Sequence, residues 1–135
     1  LDRICLMMLC HAYDEDTAET KKADMKEDLR TVLRLPAPFA PTQVAVLPLS
    51  KKLEEQAKPV LKEVRKNFRA TYDDGGSIGR RYRRQDEVGT AYCITVDFDT
   101  LEDNCVTIRD RDSMEQVRIE ITKISEWLNE KINLS

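Results

Sequence analysis

The 135-residue sequence has one histidine, one tryptophan and four glycines, and its four cysteines, Cys5, Cys10, Cys93 and Cys105, form no CxxC pair. His11 stands beside Cys10 without a second imidazole, so neither a zinc-ligand spacing nor a Cys–His nucleophile motif is present. The apolar run at residues 4–10 falls far short of a bilayer span. There is no spaced Gly-Lys-Ser/Thr phosphate loop and no GxGxxG fingerprint, so nucleotide binding by such a loop has no support. Residues 1–10 open on Asp2 and Arg3 with no small-residue cleavage site after them, so no secretory signal is visible. These absences predict a soluble chain without a membrane partner or a metal site, its thiols free in a reducing cytoplasm.

What is present suits one ordinary domain with an appendage: 41% of residues are hydrophobic and 35% charged. The net charge of −3 is uneven. Residues 14–28 hold seven acids against three lysines, which leaves the rest of the chain at +1 with one dense basic patch, Arg80, Arg81, Arg83 and Arg84. A nearly neutral surface with one basic patch is compatible with local RNA binding.

Residues 2–13 read as a helix that is apolar on every side, the pattern of an element buried inside something larger. Because the chain starts at Leu1 rather than Met, this helix is read as a remnant whose surroundings lie elsewhere. The acidic residues 14–28 lack periodicity and read as a loop, with room for a helical turn near residues 23–29. Residues 30–35 alternate as a short extended segment, Thr31, Leu33 and Leu35 on one face and Val32 on the other. Pro36, Pro38 and Pro41 then form a stiff linker. This divides the chain into an appendage at 1–35, a linker at 36–41 and a domain at 42–135.

Within the domain, Val44, Ala45, Val46 and Leu47 form an apolar run closed by Pro48, which suits a strand covered on both faces. Ser50 can cap a helix carrying Leu53, Ala57, Val60, Leu61, Val64 and Phe68 at helical spacing, kinked at Pro59 or beginning near Lys58. Residues 70–73 form a second strand. Gly75 and Gly76 turn the chain, and Ser77 caps a helix that Gly89 stops, with Ile78 and Tyr82 inward. Residues 92–98 and 106–109 are further strands joined by a polar turn. β-branched residues make 117–122 a strand, after which Thr122 can cap a last helix with Ile124, Trp127, Leu128 and Ile132 inward. The sum is an α/β domain: a mixed sheet of about five strands, three flanking helices and one extra helix before them.

Two charged clusters compete for a functional role. The arginine helix has a plain reading as a solvated face paired at i+3 and i+4 with Asp86 and Glu87. Arg109, Asp110, Arg111 and Asp112 end one strand, and Asp97 and Asp99 end the strand before it. The expectation is that these ends lie side by side and offer donors and acceptors together.

The strings VAVLPLSKK (residues 44–52), DDGGSIGRRYRRQDEVGTAYCITVDFD (73–99) and VTIRDRDSMEQVRI (106–119) resemble the C-terminal anticodon-binding domain of the dimeric, class II glycyl-tRNA synthetases. The likeness covers about residues 30–121 in order. Synthetases for threonine, proline and histidine share the fold without the SIGRRYRRQDE and TIRDRDSMEQVR strings. Leu1-Asp2-Arg3 resembles the end of the third class II signature motif, in which the arginine contacts ATP.

This resemblance implies a tRNA(Gly) partner for a ligase that takes glycine, ATP and Mg at a catalytic domain and works as a cytoplasmic homodimer. It implies no complete catalytic site and no cofactor in these residues, with Arg3 as an ATP-binding remnant. Glycine anticodons end in two cytosines, each with an amine donor at N4 and acceptors at N3 and O2, so a reader pairs carboxylates with arginines. The implied readers are Asp97, Asp99, Glu102, Arg109, Arg111 and Asp112, with Arg80, Arg81, Arg83 and Arg84 on phosphates or bracing the acids. A non-catalytic interaction module, as in the accessory subunit of a mitochondrial DNA polymerase, is the alternative.

Overall fold

The structure, a computed structural model, describes residues 1–17 and 29–133. Helix α1 (Asp2–Ala12) leads into a two-stranded antiparallel hairpin, β1 (Tyr13–Thr17) with β2 (Leu29–Leu33). A 3-10 turn at Ala37–Phe39 precedes β3 (Val44–Pro48), α2 (Glu54–Arg65), β4 (Ala70–Tyr72), α3 (Ile78–Val88) and β5 (Tyr92–Val96). The one-turn helix α4 (Thr100–Asp103), β6 (Cys105–Asp110), β7 (Gln116–Glu120) and α5 (Ile124–Asn133) complete the described chain.

The five-stranded sheet has the order β4-β3-β5-β6-β7. β3 runs parallel to both neighbours, whereas β5, β6 and β7 pair antiparallel. This order decides where the helices go. The crossover from β3 to β4 moves one way along the sheet, and that from β4 to β5 moves back past β3. Right-handed crossovers in opposite directions deposit their helices on opposite faces. Accordingly α2 packs with α5 on one face, where Val44, Val46, Ile94, Val96, Val106 and Ile108 meet Leu53, Val60, Val64, Ile124 and Leu128. α3 stands alone on the other, Ile78 and Tyr82 lying against Ala45, Leu47 and Cys93.

Local signals account for most boundaries. The Ser77 hydroxyl accepts from the Arg80 amide at 3.4 Å, and Gly89 closes α3 in the left-handed region at φ 84°. Four sequence expectations are corrected. α2 starts at Glu54 and runs through Pro59, its Ala57, Val60 and Val64 stripe being buried in the core, so one missing amide does not end it. Residues 14–17 are strand rather than loop, because Asp14 to Thr17 pair in register with Val32 to Leu29. Residues 100–103 form a helical turn, closed by Asn104 at φ 58°. Thr122 lies inside a 3-10 turn, Ile121–Lys123, instead of capping α5. In β2, Val32 is fully buried and Thr31 exposed, on opposite faces as their alternation implies. Residues 18–28, and with them most of the expected turn at 23–29, lie outside the described residues.

The proline-rich stretch packs onto the domain: Ala37 joins the main core, and Arg69 donates to the Pro38 and Ala40 carbonyls at 2.8 and 2.9 Å. α1 buries only Ala12, against Leu35 and Ala40, and leaves Leu1, Ile4, Leu6 and Met7 at least 60% exposed.

Candidate nucleic-acid interface

α3 reaches only the β3–β5 half of its face. The registers place Thr107 beside Arg118 and Arg109 beside Gln116 on that same face, over β6 and β7. Arg118, Gln116 and Glu120 are exposed and Thr107 is half-buried, so half of this sheet surface is open and polar. Arg109 marks its border. It is 7% exposed, lies 4.8 Å over the Tyr82 ring, and donates to both carboxylate oxygens of Asp86 on α3. Tyr82 extends the border to β5 by a hydrogen bond between its hydroxyl and that of Thr95.

The expected adjacency of the two charged strand ends does not exist. β5 and β6 are antiparallel, so Asp97, Asp99 and Glu102 sit where β6 begins, and Arg111 and Asp112 sit beyond its far end. At 3.3 to 3.4 Å per residue, β6 sets these groups about 15 Å apart. Each end has its own network.

At the near end, Asp97 accepts from the Thr100 amide at 3.0 Å and from Arg118 Nη1 at 3.1 Å. Arg118 also donates to both oxygens of Asp103 at 2.8 Å, and Asp103 caps the Cys105 amide at 3.0 Å. Burial pushes the Asp97 carboxyl up, but hydrogen bonds from Arg118 and Thr100 outweigh it and leave it below the ordinary value. The Cys105 amide and Arg118 hold Asp103 down in the same way. Phe98, Asp99, Leu101 and Glu102 are exposed on this rim. Asp99 and Glu102 have no side-chain partner among the described residues.

At the far end the arginines turn inward. Arg111, 5% exposed, donates to the Gly89 carbonyl at 3.0 Å and the Leu35 carbonyl at 2.7 Å. Asp112 accepts from Arg111 at 3.1 Å and from Arg34 at 3.0 Å, and Arg34 continues to Asp14 at 2.9 Å. Burial opposes ionisation of Asp112, and Arg111 and Arg34 reverse that effect. These residues clamp the β1–β2 hairpin and the end of α3 to the turn after β6.

The basic helix divides similarly. Arg81, 5% exposed, donates to the Pro48 and Gly76 carbonyls, and Arg84 pairs with Asp73 at 2.9 Å. Arg83 is half-buried, whereas Arg80 is exposed. Asp97, Asp99 and Glu102 thus share one end of β6, and Arg118 and Asp103, absent from the expected set, complete that end. The alternation of Arg118 and Glu120 with Val117 and Ile119 was the available signal for an open polar face.

Arg3 stands exposed on α1 without a polar partner among the described residues, and among them no group of three or more His, Cys, Asp or Glu side chains could hold a metal ion. All four thiols are free, and no described helix is long and apolar enough to cross a membrane.

Comparison with known proteins agrees with this architecture. The chain is 57% identical over 123 residues to the glycine–tRNA ligase of Clostridium perfringens, which covers 91% of this chain and 26% of that relative. It is 52% identical to the glycine–tRNA ligase of Alkaliphilus oremlandii, covering 98% of this chain and 27% of the relative. The chain thus spans about a quarter of the length of these curated relatives. Among solved structures, the RNA-binding domain of threonyl-tRNA synthetase from Cryptosporidium parvum superposes with a TM-score of 0.67 at 26% identity, over 73% of this chain and 25% of that one. The family model described as the anticodon binding domain matches residues 43–131, which span the whole five-stranded sheet, and the chain belongs to that family.

Proposed function

We propose that this chain grips the anticodon loop of tRNA(Gly) for an ATP-dependent glycine–tRNA ligase. The observation that carries the reading is the half-open polar sheet face, bordered by Arg109 and ending in the rim of Asp97, Asp99, Glu102 and Arg118. A cytosine needs an acceptor for its N4 amine and donors for N3 and O2, and the rim carries both at one end of the sheet. Asp99 and Glu102 are its exposed acceptors; Arg118 is its donor. Arg109, Arg111 and Asp112 hold α3 and the hairpin in place around that face. Arg80 and Arg83 lie along α3 where a phosphate backbone would approach.

The parent ligase would form glycyl adenylate from glycine and ATP with Mg and pass glycine to the tRNA 3′ end, as a cytoplasmic homodimer. Residues 1–35 would close its catalytic domain, residues 36–41 would link, and residues 42–135 would bind the anticodon. The exposed apolar faces of α1 and the greater length of the relatives support this division.

The test is titration of the chain with a glycine anticodon stem-loop and with versions carrying either cytosine changed, at two fixed salt concentrations. Each lost paired contact should weaken binding by about 1 to 3 kcal/mol, or about 5- to 150-fold. Arg118→Ala should reduce that discrimination. Equal affinity for all the stem-loops would overturn the reading and favour a sequence-blind interaction module.

A further inference from the structure

The sheet order leaves β7 as an edge strand, with no described segment on its outer side. Hydrogen bonds from the Asp110 amide to the Glu115 carbonyl and from the Ile121 amide to the Asn104 carbonyl, both 3.0 Å, fix the phase of the β6–β7 ladder. Alternation then directs the backbone groups of Gln116, Arg118 and Glu120 away from β6, toward the open edge. The usual protections of such an edge are weak here. β7 contains no proline or lysine, Val117 is 44% exposed, and the Arg118 side chain is drawn back over the sheet to Asp97 and Asp103.

Beside this edge, between β7 and α5, runs a groove of about 490 Å³. Val117, Ile119 and Trp127 line it with apolar surface, Glu120, Glu126, Glu130 and Lys123 line it with charge, and the Lys131 ammonium lies 5.7 Å from the centroid of the Trp127 ring. With the Arg118 charge matched by two carboxylates, three glutamates stand against Lys123 and Lys131, so the groove keeps an acidic excess. We propose that the β7 edge and this groove accept an extended basic peptide segment of another protein as a sixth strand. Its backbone would pair with Gln116, Arg118 and Glu120. Alternate lysines would lay their methylene stems over Val117 and Ile119 and place their ammonium groups at Glu126 and Glu130. Charge selects this occupant. A nucleic-acid backbone would meet the same carboxylates, and two copies of this chain joined edge to edge about a two-fold axis would bring their own Glu126 and Glu130 together.

The probe is acetyl-Thr-Lys-Thr-Lys-Thr-Lys-amide, titrated into the nitrogen-15-labelled 135-residue chain. The expected result is saturable shifts centred on the Gln116, Arg118 and Glu120 amides, weakened at least about tenfold by Glu126→Lys with Glu130→Lys. A glutamate-for-lysine peptide and a backbone N-methylated lysine peptide should both fail to bind. An equal response to either control, shifts centred elsewhere, or a doubled particle mass from pairing between copies would each overturn the proposal. Anticodon stem-loop binding to the opposite face is expected to continue in the presence of the peptide.

Discussion

Arg109 on β6 presents its two terminal nitrogens to the two carboxylate oxygens of Asp86 on α3, at 3.0 and 3.3 Å, with Asp86 only 1% exposed. Burial works against the guanidinium charge, yet the Asp86 carboxylate outweighs it and raises the Arg109 pKa above its ordinary value. This pair fixes where α3 stops covering the sheet, and therefore how much face stays open.

Removing one partner leaves the other charge buried and unmatched. Asp86→Ala is expected to cost about 3–5 kcal/mol, while Asp86→Leu combined with Arg109→Met should recover much of that loss. Urea unfolding of the wild type, both single variants and the double variant measures the coupling. Additive losses would show that the pair is not the source.

Gly76 and Gly89 both have positive φ, 75° and 84°, but different surroundings. A Cβ at Gly76 meets nothing within 4 Å, so Gly76→Ala should cost only the left-handed backbone strain, about 1–2 kcal/mol. A Cβ at Gly89 would lie 3.0 Å from Leu35 Cδ1 and 3.3 Å from the Leu33 carbonyl oxygen. Gly89→Ala should cost about 2–4 kcal/mol, adding overpacking to strain. Leu35→Ala in the Gly89→Ala background should cost less than it does alone, since it removes one of the clashing groups; thermal unfolding of the four proteins decides this.

The same glycine illustrates what the sequence made legible. A Gly-Gly turn, a serine cap and a glycine stop bracket α3, and an unbroken apolar run identifies β3, because local chemistry decides those features. The hairpin β1–β2 was hidden, since Asp14, Glu15 and Asp16 owe their strand state to partners from residue 30 to residue 32. Pro59 left the start of α2 open for a similar reason: the buried stripe beside it belongs to tertiary packing. In the charged clusters one expectation differs from the structure: the ends of β5 and β6 do not lie side by side. Antiparallel pairing of β5 with β6 sends those ends apart, and Arg118, eight residues after Asp110 in sequence, is brought to Asp97 instead.

The aspartate networks at the two ends of β6 should give the protein an acid-sensitive component. Asp97, Asp103 and Asp112 have folded pKa values below their ordinary ones, so the unfolded chain binds more protons as pH falls. Their stabilisation is present above about pH 4, the unfolded value, and is lost as pH drops through the lower folded values. Arg118→Met removes the cation shared by Asp97 and Asp103. It should lower stability at pH 6 and flatten the decline below about pH 4. Unfolding free energies across that window test this, and curves that stay parallel would remove Arg118 from the explanation.

Cys93 provides the alkaline counterpart. It lies 2% exposed between Ala45, Leu47 and α3, and burial pushes its thiol up to about 12, with Arg109 opposing and Asp86 assisting. An unfolded thiol ionises near 8.5, so the folded state is favoured fully below that value and loses this contribution as pH rises toward 12. Burial raises the Tyr82 hydroxyl beside it, which adds loss in the same direction at higher pH. At pH 8 an alkylating reagent should label the exposed Cys5 and Cys10 rapidly and the half-buried Cys105 more slowly. Cys93 should react only in denaturant. Cys93→Val keeps the apolar contact and removes the ionisable group, so its stability should fall less steeply between about pH 8.5 and 10 than that of the wild type. Labelling of Cys93 in the folded protein at the rate of Cys5 would refute the buried placement, and an unchanged alkaline slope in Cys93→Val would assign the loss to the tyrosines.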